Sequence, residues 1–360
     1  MSAPLRIALV GAGLIGRVHL DALLASDDCV PCAVVDPSPA SDALAARAGV
    51  PRLETLEALL DGAIPRPDGI VLATPNHLHV EQTLACIERG FPVLLEKPLA
   101  PNVADGERLA RRVRESGARV LVGHHRTHGS ILRRARETIA SGALGRIVAV
   151  TGSALFYKPD GYFDEAPWRR EPGGGPILIN LIHEVHSLRL LCGEIVAVRA
   201  FASNAVRAHA VEDTVAIVLR FASGALGTFV LSDTAASPRS WEQTSGENPR
   251  YAREGDEDCY VVAGTMGSLA VPTMRLHRYA RAEARSWWKP VERERLALVP
   301  DDPIERQMAH FSAVIRGDSA PLVDVDGALA NLRVTEAVIE AARTGGTVEL
   351  PVVGTPARER

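Results

Sequence analysis

The sequence predicts an α/β chain: an N-terminal doubly wound parallel sheet, then a C-terminal α+β domain on a mostly antiparallel open sheet. Three observations carry that prediction. Up to residue 123, short unbroken apolar runs alternate with amphipathic segments, as buried strands and their crossover helices do. Glycines 11, 13 and 16 stand between the first apolar run and the first helix. After residue 124 the strands lengthen and are joined by turns such as Ser223-Gly224 rather than by helices.

The first strand holds the unbroken run 7–10, Ile-Ala-Leu-Val. Gly11 permits a tight turn, Gly13 lets backbone approach a pyrophosphate, and Gly16 lets the helix lie close to the sheet. The opening N–H groups of that helix, at Leu14 and Ile15, would face phosphates. Asp36 ends the next strand, where a carboxylate can accept both hydroxyls of an adenosine ribose. A 2′-phosphate about 4 Å from it would be repelled by roughly 4 kcal/mol at an effective dielectric near 20. Pro37, Ser38 and Pro39 follow with no arginine, so NAD is predicted over NADP.

Helices are then expected over 40–48, closed by Gly49, and over 55–60 with Thr55 as N-cap. Further helices cover 77–89 and 102–116, and strands cover 69–74, 92–96 and 119–123. These complete a dinucleotide-binding domain over 1–123. A substrate-binding and oligomerisation domain over 124–360 opens with a helix at 130–139. Its strands are expected at 146–157, 196–203, 211–221, 225–232 and 258–263. The polar stretch 235–257 reads as a disordered loop or a lid, with Trp241 and Tyr251 favouring partial order over a bound substrate. Two amphipathic helices within 303–343 are expected to pack back toward the first domain.

Composition narrows the function. With 360 residues, 46% apolar and 23% charged, the chain is an ordinary globular protein with room for two cores. A net charge of −4 without a basic run argues against nucleic acid. No apolar stretch approaches the roughly 20 residues that span a bilayer. The start, MSAPLRIALV, runs into the first strand and leaves no room for a signal peptide, so a cytoplasmic location is expected. Cysteines 29, 32, 86, 192 and 259 form no disulfide framework, and Cys32 heads a buried strand, so Cys29-Val-Pro-Cys32 is read as packing.

Ligands of open α/β sheets bind beyond the carboxyl ends of the strands. Three segments arrive there: 74–79 with Thr74, Asn76, His77 and His79; Glu96-Lys97-Pro98; and 123–126 with His124, His125 and Arg126. Lys97 stands out, because burial at a strand end would draw its pKa from about 10.4 toward proton exchange. A second constellation begins at Gly173-Gly174-Gly175. At 100° per residue Asn180, His183 and Ser187 share one stripe of a largely apolar helix, and His186 flanks it. The histidines lack a metal-binding spacing or cysteine companion, so no metal is expected.

Together these segments resemble the glucose–fructose oxidoreductase/inositol dehydrogenase (Gfo/Idh/MocA) family. The matching stretches are G-A-G-L-I-G-R-V-H, A-T-P-N-H-L-H, E-K-P-L, G-A-L-G-R-I and the G-G-G helix with its histidine, and they span nearly the whole chain. The resemblance implies a Rossmann domain, a C-terminal open sheet whose face makes dimer contacts, and hydride transfer between nicotinamide and a carbinol carbon of a sugar, cyclitol or related polyol. It places Gly11, Gly13, Gly16 and Asp36 on the adenosine and pyrophosphate. It sets Thr74, Asn76 and His79 beside the nicotinamide half, Glu96 near its ribose, and Trp168-Arg169 on a loop that reaches the cofactor. Lys97 and His183 would be catalytic. The chain departs from the family where many members carry aspartates, at Ile179 and His186, so Asn180 is expected to hold a hydroxyl. Tyr157 and the polar, aromatic run to Arg170 extend the substrate set, with His125 and Arg126, toward an anionic or cyclic compound.

The expected reaction is oxidation of a secondary alcohol, with His183 taking the hydroxyl proton, Lys97 stabilising the alkoxide and Glu96 orienting Lys97. A homodimer or homotetramer is expected. Two other readings keep the fold: a glycosidase that retains NAD and shows no net reduction, and a sugar-sensing regulator without chemistry.

Overall fold

Strand β1 (Leu5–Val10) can be apolar from Ile7 to Val10 because both its faces are covered. Ile7 and Leu9 join Leu20, Leu23, Met308 and Phe311 on one face. Ala8 and Val10 join Leu56, Val80, Leu109 and Leu329 on the other. The computed structural model describes residues 3–351.

The chain divides into two compact units. One ends at His128 and resumes over Asp302–Leu332; the other covers Gly129–Asp301 and resumes at Arg333. The first unit therefore takes in the helix Pro303–Arg316 and the first part of Val325–Thr344, beyond the contiguous stretch 1–123.

In the first unit β1, β2 (Cys29–Val35), β3 (Arg52–Leu53), β4 (Gly69–Leu72), β5 (Val93–Glu96) and β6 (Val120–Gly123) form a parallel sheet ordered β3-β2-β1-β4-β5-β6. The order reverses beside β1, which sets a crevice beyond the carboxyl ends of β1 and β4. Helix starts follow their caps: Thr55 Oγ1 accepts from the Ala58 N–H at 3.2 Å, and Asn102 Oδ1 from the Asp105 N–H at 2.9 Å. The returning helix Pro303–Arg316 lies so close to β4 that a Cβ on Gly69 would stand 2.6 Å from Ile315 Cδ1. Cys29 and Cys32 are buried free thiols whose pKa values burial pushes up to about 11, so they serve packing.

The second unit holds a nine-stranded sheet: β7 (Ile147–Leu155), β8 (Ile195–Ser203), β9 (Thr214–Phe221), β10 (Leu226–Ser232), β11 (Tyr260–Gly264), β12 (Gly267–Val271), β13 (Arg275–Arg278), β14 (Glu292–Arg295) and β15 (Thr347–Glu349). Its order is β14-β13-β12-β11-β7-β10-β9-β8-β15, and every pair is antiparallel except β7 with β10. Ser130–Ala140, Ile182–Cys192 and the later part of Val325–Thr344 supply Leu132, Val185, Leu188 and Val338 to one face, against Val150, Ile217, Phe229 and Tyr260. The outward positions carry Phe201, Val218, Leu226 and Val230, all exposed. Among the described residues no helix is long and apolar enough to cross a membrane.

Two expectations fail here. Strands β13 and β14 escape the sequence because RLHR and ERER give charge and almost no alternating apolar signal, and β12 and β15 because they are runs of only five and three residues. The stretch 235–257 is neither disordered nor a cover for substrate at Trp241. That residue lies in the short helix Trp241–Ser245, buried in the core against Tyr260 with ring centroids 5.9 Å apart. Its indole N–H donates to Glu247 Oε2 at 2.7 Å, whereas Tyr251 is exposed.

Buried Glu184 accepts a hydrogen bond from the buried Tyr260 hydroxyl. Tyr260→Phe leaves that carboxylate short of a donor, at a cost of about 1–3 kcal/mol. Urea denaturation should show a lower midpoint at unchanged slope; an unmoved midpoint would mean the pair contributes no stability.

Candidate active site

The glycine turn divides its three glycines by purpose. Gly11 has φ +96° and a Cβ there would stand 2.5 Å from the Ala73 carbonyl oxygen. A Cβ on Gly16 would come within 2.0 Å of the Gly11 oxygen. Gly13 meets nothing within 4 Å, so no protein neighbour requires it. The space it leaves lies at the start of helix Leu14–Ala25, whose N-terminus has no side-chain cap and whose Leu14 is exposed. Backbone donors beside open space fit an approaching pyrophosphate.

Asp36 is pinned to this turn. Its Oδ2 accepts from the Ala12 N–H at 2.8 Å and its Oδ1 from the Ser38 N–H at 2.8 Å. The structure corrects one part of the sequence argument, since an arginine does stand nearby. Arg52, brought alongside by β3, donates to the Asp36 carbonyl at 3.1 Å. Its guanidinium also bonds Asp42 and lies 3.6 Å from Glu54, so its charge is already matched.

Of the residues expected around the nicotinamide half, Thr74 and Asn76 are half-buried at the end of β4, and the Thr74 hydroxyl donates to Gln82 Oε1 at 2.6 Å. His79 is a correction. It is fully buried, with Nδ1 2.7 Å from the Pro98 carbonyl oxygen and Nε2 2.9 Å from that of Thr74. Burial lowers its pKa against the pull of those two carbonyls. The ring braces the two loops that hold Thr74 and Lys97 and is closed off from a ligand.

Glu96 is buried at the end of β5 and is claimed from below by a residue the sequence reading left without a role. Its Oε1 lies 2.7 Å from Nε2 of the fully buried His19, and its Oε2 accepts from the Lys97 backbone N–H at 3.2 Å. Gly123 makes room, because a Cβ there would stand 2.8 Å from Glu96 Oε1. Burial pushes the carboxyl upward, but the hydrogen bond and charge of His19, with Lys97 and His125, outweigh it and hold the pKa below the ordinary value. Lys97 itself is half-buried, next to a cis peptide bond to Pro98. His125 is half-buried, whereas Arg126, expected against substrate, is buried. His124 is buried too, with Nε2 3.2 Å from Asn331 Nδ2.

In the second unit the glycine run lets backbone and side chains approach closely. A Cβ on Gly174 would stand 2.3 Å from the Trp168 carbonyl oxygen, and one on Gly175 2.4 Å from Glu212 Oε1. The glycines thus seat the Pro167–Arg170 turn and let Glu212 accept from the Ile177 N–H at 2.9 Å. Ile177–Leu181 is a π-turn that leads into helix Ile182–Cys192, so a constant 100° step does not apply across it. Asn180 and His183 remain half-buried, but Ser187 is fully buried and donates to the His183 carbonyl at 3.0 Å. The polar stripe shortens to two residues, and His186 is buried. Lys158, which no motif singled out, donates to Asn180 Oδ1 at 2.8 Å. Tyr157 and Trp168 are more than half exposed, at 58% and 53%. Arg169 stacks over Tyr162 with its guanidinium carbon 3.7 Å from the ring centre.

Comparison with known proteins gives these features a setting. The model of an oxidoreductase family with an NAD-binding Rossmann fold matches residues 5–124, and that of the GFO/IDH/MocA C-terminal domain matches 132–270. The chain belongs to the Gfo/Idh/MocA family. Within that family it is 30% identical to a 1,5-anhydro-D-fructose reductase of Ensifer adhaerens over 79% of this chain and 80% of that protein. It is 28% identical to the rhizopine catabolism protein MocA of Rhizobium meliloti over 93% and 94% of the two. Among solved structures, the WlbA dehydrogenase of Bordetella pertussis, in complex with NADH and UDP-GlcNAcA, is 25% identical with a TM-score of 0.77, covering 97% of this chain and 99% of that one. The Gfo/Idh/MocA chain thus carries an NAD-binding Rossmann domain, and its glycine turn is shaped for that cofactor.

The pairing of His19 with Glu96 makes a pH-dependent prediction. With His19 present, the Glu96 contribution is full above its unfolded value of about 4.5 and is lost as pH falls through the lowered folded value. His19→Ala leaves burial to push the carboxyl upward and should cost about 3 kcal/mol at pH 7. Denaturation curves should show the gap to wild type shrinking toward pH 4; a gap independent of pH would separate His19 from Glu96.

Proposed function

We propose that this Gfo/Idh/MocA protein is an NAD-dependent dehydrogenase that oxidises a secondary alcohol of a sugar, cyclitol, related cyclic polyol or sugar acid. The observation that carries the reading is the division of labour at the end of β5. Glu96 is held by His19 and by backbone beneath the surface, and the adjacent residue Lys97 is half-buried just past the strand end. Bound NAD would supply the hydride acceptor at nicotinamide C4. Gly11, Gly13, Gly16 and the Leu14 and Ile15 N–H groups hold its pyrophosphate, and Asp36 its adenosine ribose. Because Asp36 repels a 2′-phosphate and Arg52 is already matched, NAD is preferred to NADP.

His183 takes the proton of the reacting hydroxyl, Lys97 hydrogen-bonds the same oxygen and stabilises its developing charge, and Asn180 holds a neighbouring hydroxyl. His125 and Tyr157 border the substrate, and Trp168 and Arg169 border the cofactor. The supporting relatives include a Thermotoga maritima myo-inositol 2-dehydrogenase, 27% identical over 75% of this chain. The exposed apolar face with Phe201, Val218 and Leu226 is proposed to meet a second copy of the chain.

The test is a spectrophotometric panel of cyclitols, aldoses and sugar acids with NAD and with NADP. His183→Ala should slow the best reaction by about 10²–10⁴-fold while NAD binding persists. Near wild-type turnover in that variant would remove His183 from the chemistry, and no reduced cofactor with any polyol would overturn the dehydrogenase reading.

A further inference from the structure

The second unit gathers three cations, Lys158, Arg169 and Arg207, near Asn180. Lys158 Nζ donates to Asn180 Oδ1 at 2.8 Å, and its side chain is 11% exposed. The Tyr162 ring carries both Lys158 Nζ, 4.9 Å from its centre, and the Arg169 guanidinium, 3.7 Å from it. Arg169 Nη1 donates to the Tyr162 carbonyl, and its buried Nε has no hydrogen-bond partner among the described residues.

The nearby acids are shared among these cations, and Asp160 lies 3.5 Å from Arg207 Nη1. Asp233 lies 3.7 Å from Lys158 Nζ, but its Oδ1 accepts from Arg207 Nε at 2.9 Å. Arg207 Nη2 donates further to the carbonyls of Asp233 and Lys158, each at 2.7 Å. Glu212 accepts from the Ile177 N–H, and burial pushes its carboxyl upward, toward the neutral form. Burial first, then Arg169 and Arg207, lower the pKa of Lys158 to about 8, against the pull of Asp233 and Glu242.

We propose that Lys158 is a specificity-determining residue that binds a carboxylate on the substrate, so that the preferred substrate is a sugar acid or carboxylated cyclitol rather than a neutral polyol. The proposal rests on the dehydrogenase reading and narrows its substrate class. Asn180 links the amine to the helix that carries His183, three residues on, which puts the anion reader on the substrate-handling element. Lys158 shares the single Asp233 carboxylate with Arg207, and a carboxylate on the substrate gives the amine a counter-charge of its own.

The test compares matched pairs, D-glucose with D-glucuronate and D-galactose with D-galacturonate, by calorimetric binding to the NADH-loaded protein and by NAD reduction. Wild type should bind the acid of at least one pair about 10-fold or more tightly than its neutral partner. Lys158→Met should collapse that ratio toward one. The preference should hold below about pH 8 and fade above it as the amine loses its proton, with Asp233, Glu212, Glu242, Arg169, Arg207 and Tyr162 as the groups that set the midpoint. Equal binding of both members, an unchanged ratio in Lys158→Met, or a matching loss of NADH affinity in that variant would overturn the proposal; the last would assign the cations to the cofactor. The binding arm needs no turnover, so an absence of reduced cofactor would count against the dehydrogenase reading alone.

Discussion

The contact between His19 and Glu96 is the constraint on which the first unit's site depends. It joins the helix that follows the glycine turn to the strand that ends in Glu96, through two residues separated by 77 positions in the chain. Because His19 takes one carboxylate oxygen and the Lys97 backbone N–H the other, Glu96 fixes where the lysine emerges while its own charge stays beneath the surface. A second imidazole reinforces this from the side. His79 spans the carbonyls of Thr74 and Pro98, so the β4 and β5 loops are held to one another. Two fully buried histidines thus serve as struts for the half-buried residues that meet solvent.

The same logic explains what could be read in the sequence. Elements with a strong period and explicit punctuation were legible: the glycine turn, the Thr55 cap, and strands whose every residue faces a core. The positions of Asp36 and Lys97 were legible from local motifs, and the structure sets them just past the ends of β2 and β5. Relationships across the fold were hidden. Arg52 is sixteen positions from Asp36 and becomes its neighbour only through β3 pairing. His19 lies inside a recognised motif, yet its role depends on a partner far along the chain. His79, Arg126 and Ser187 carry polar groups that suit a site, and the fold buries all three.

The second unit adds a lesson about periodicity. A single π-turn at Ile177–Leu181 is invisible to a fixed 100° step, yet it sets how Asn180 is presented relative to the helix that follows. It starts where Glu212 caps it and where Gly174 and Gly175 admit the Trp168 turn and that carboxylate. Gly174 and Gly175 are therefore needed for close approach of protein to protein, whereas a Cβ on Gly13 would meet nothing within 4 Å.

The central claim is that this Gfo/Idh/MocA chain moves hydride between a carbinol carbon and NAD. The most direct measurement gives the protein a substrate deuterated at that carbon and analyses the recovered cofactor by mass spectrometry and proton NMR. The account predicts one deuterium at nicotinamide C4, on a single face, in stoichiometry with ketone formed. Product formed with unlabelled cofactor, or with cofactor returned unreduced after cleavage of a glycoside, would contradict it.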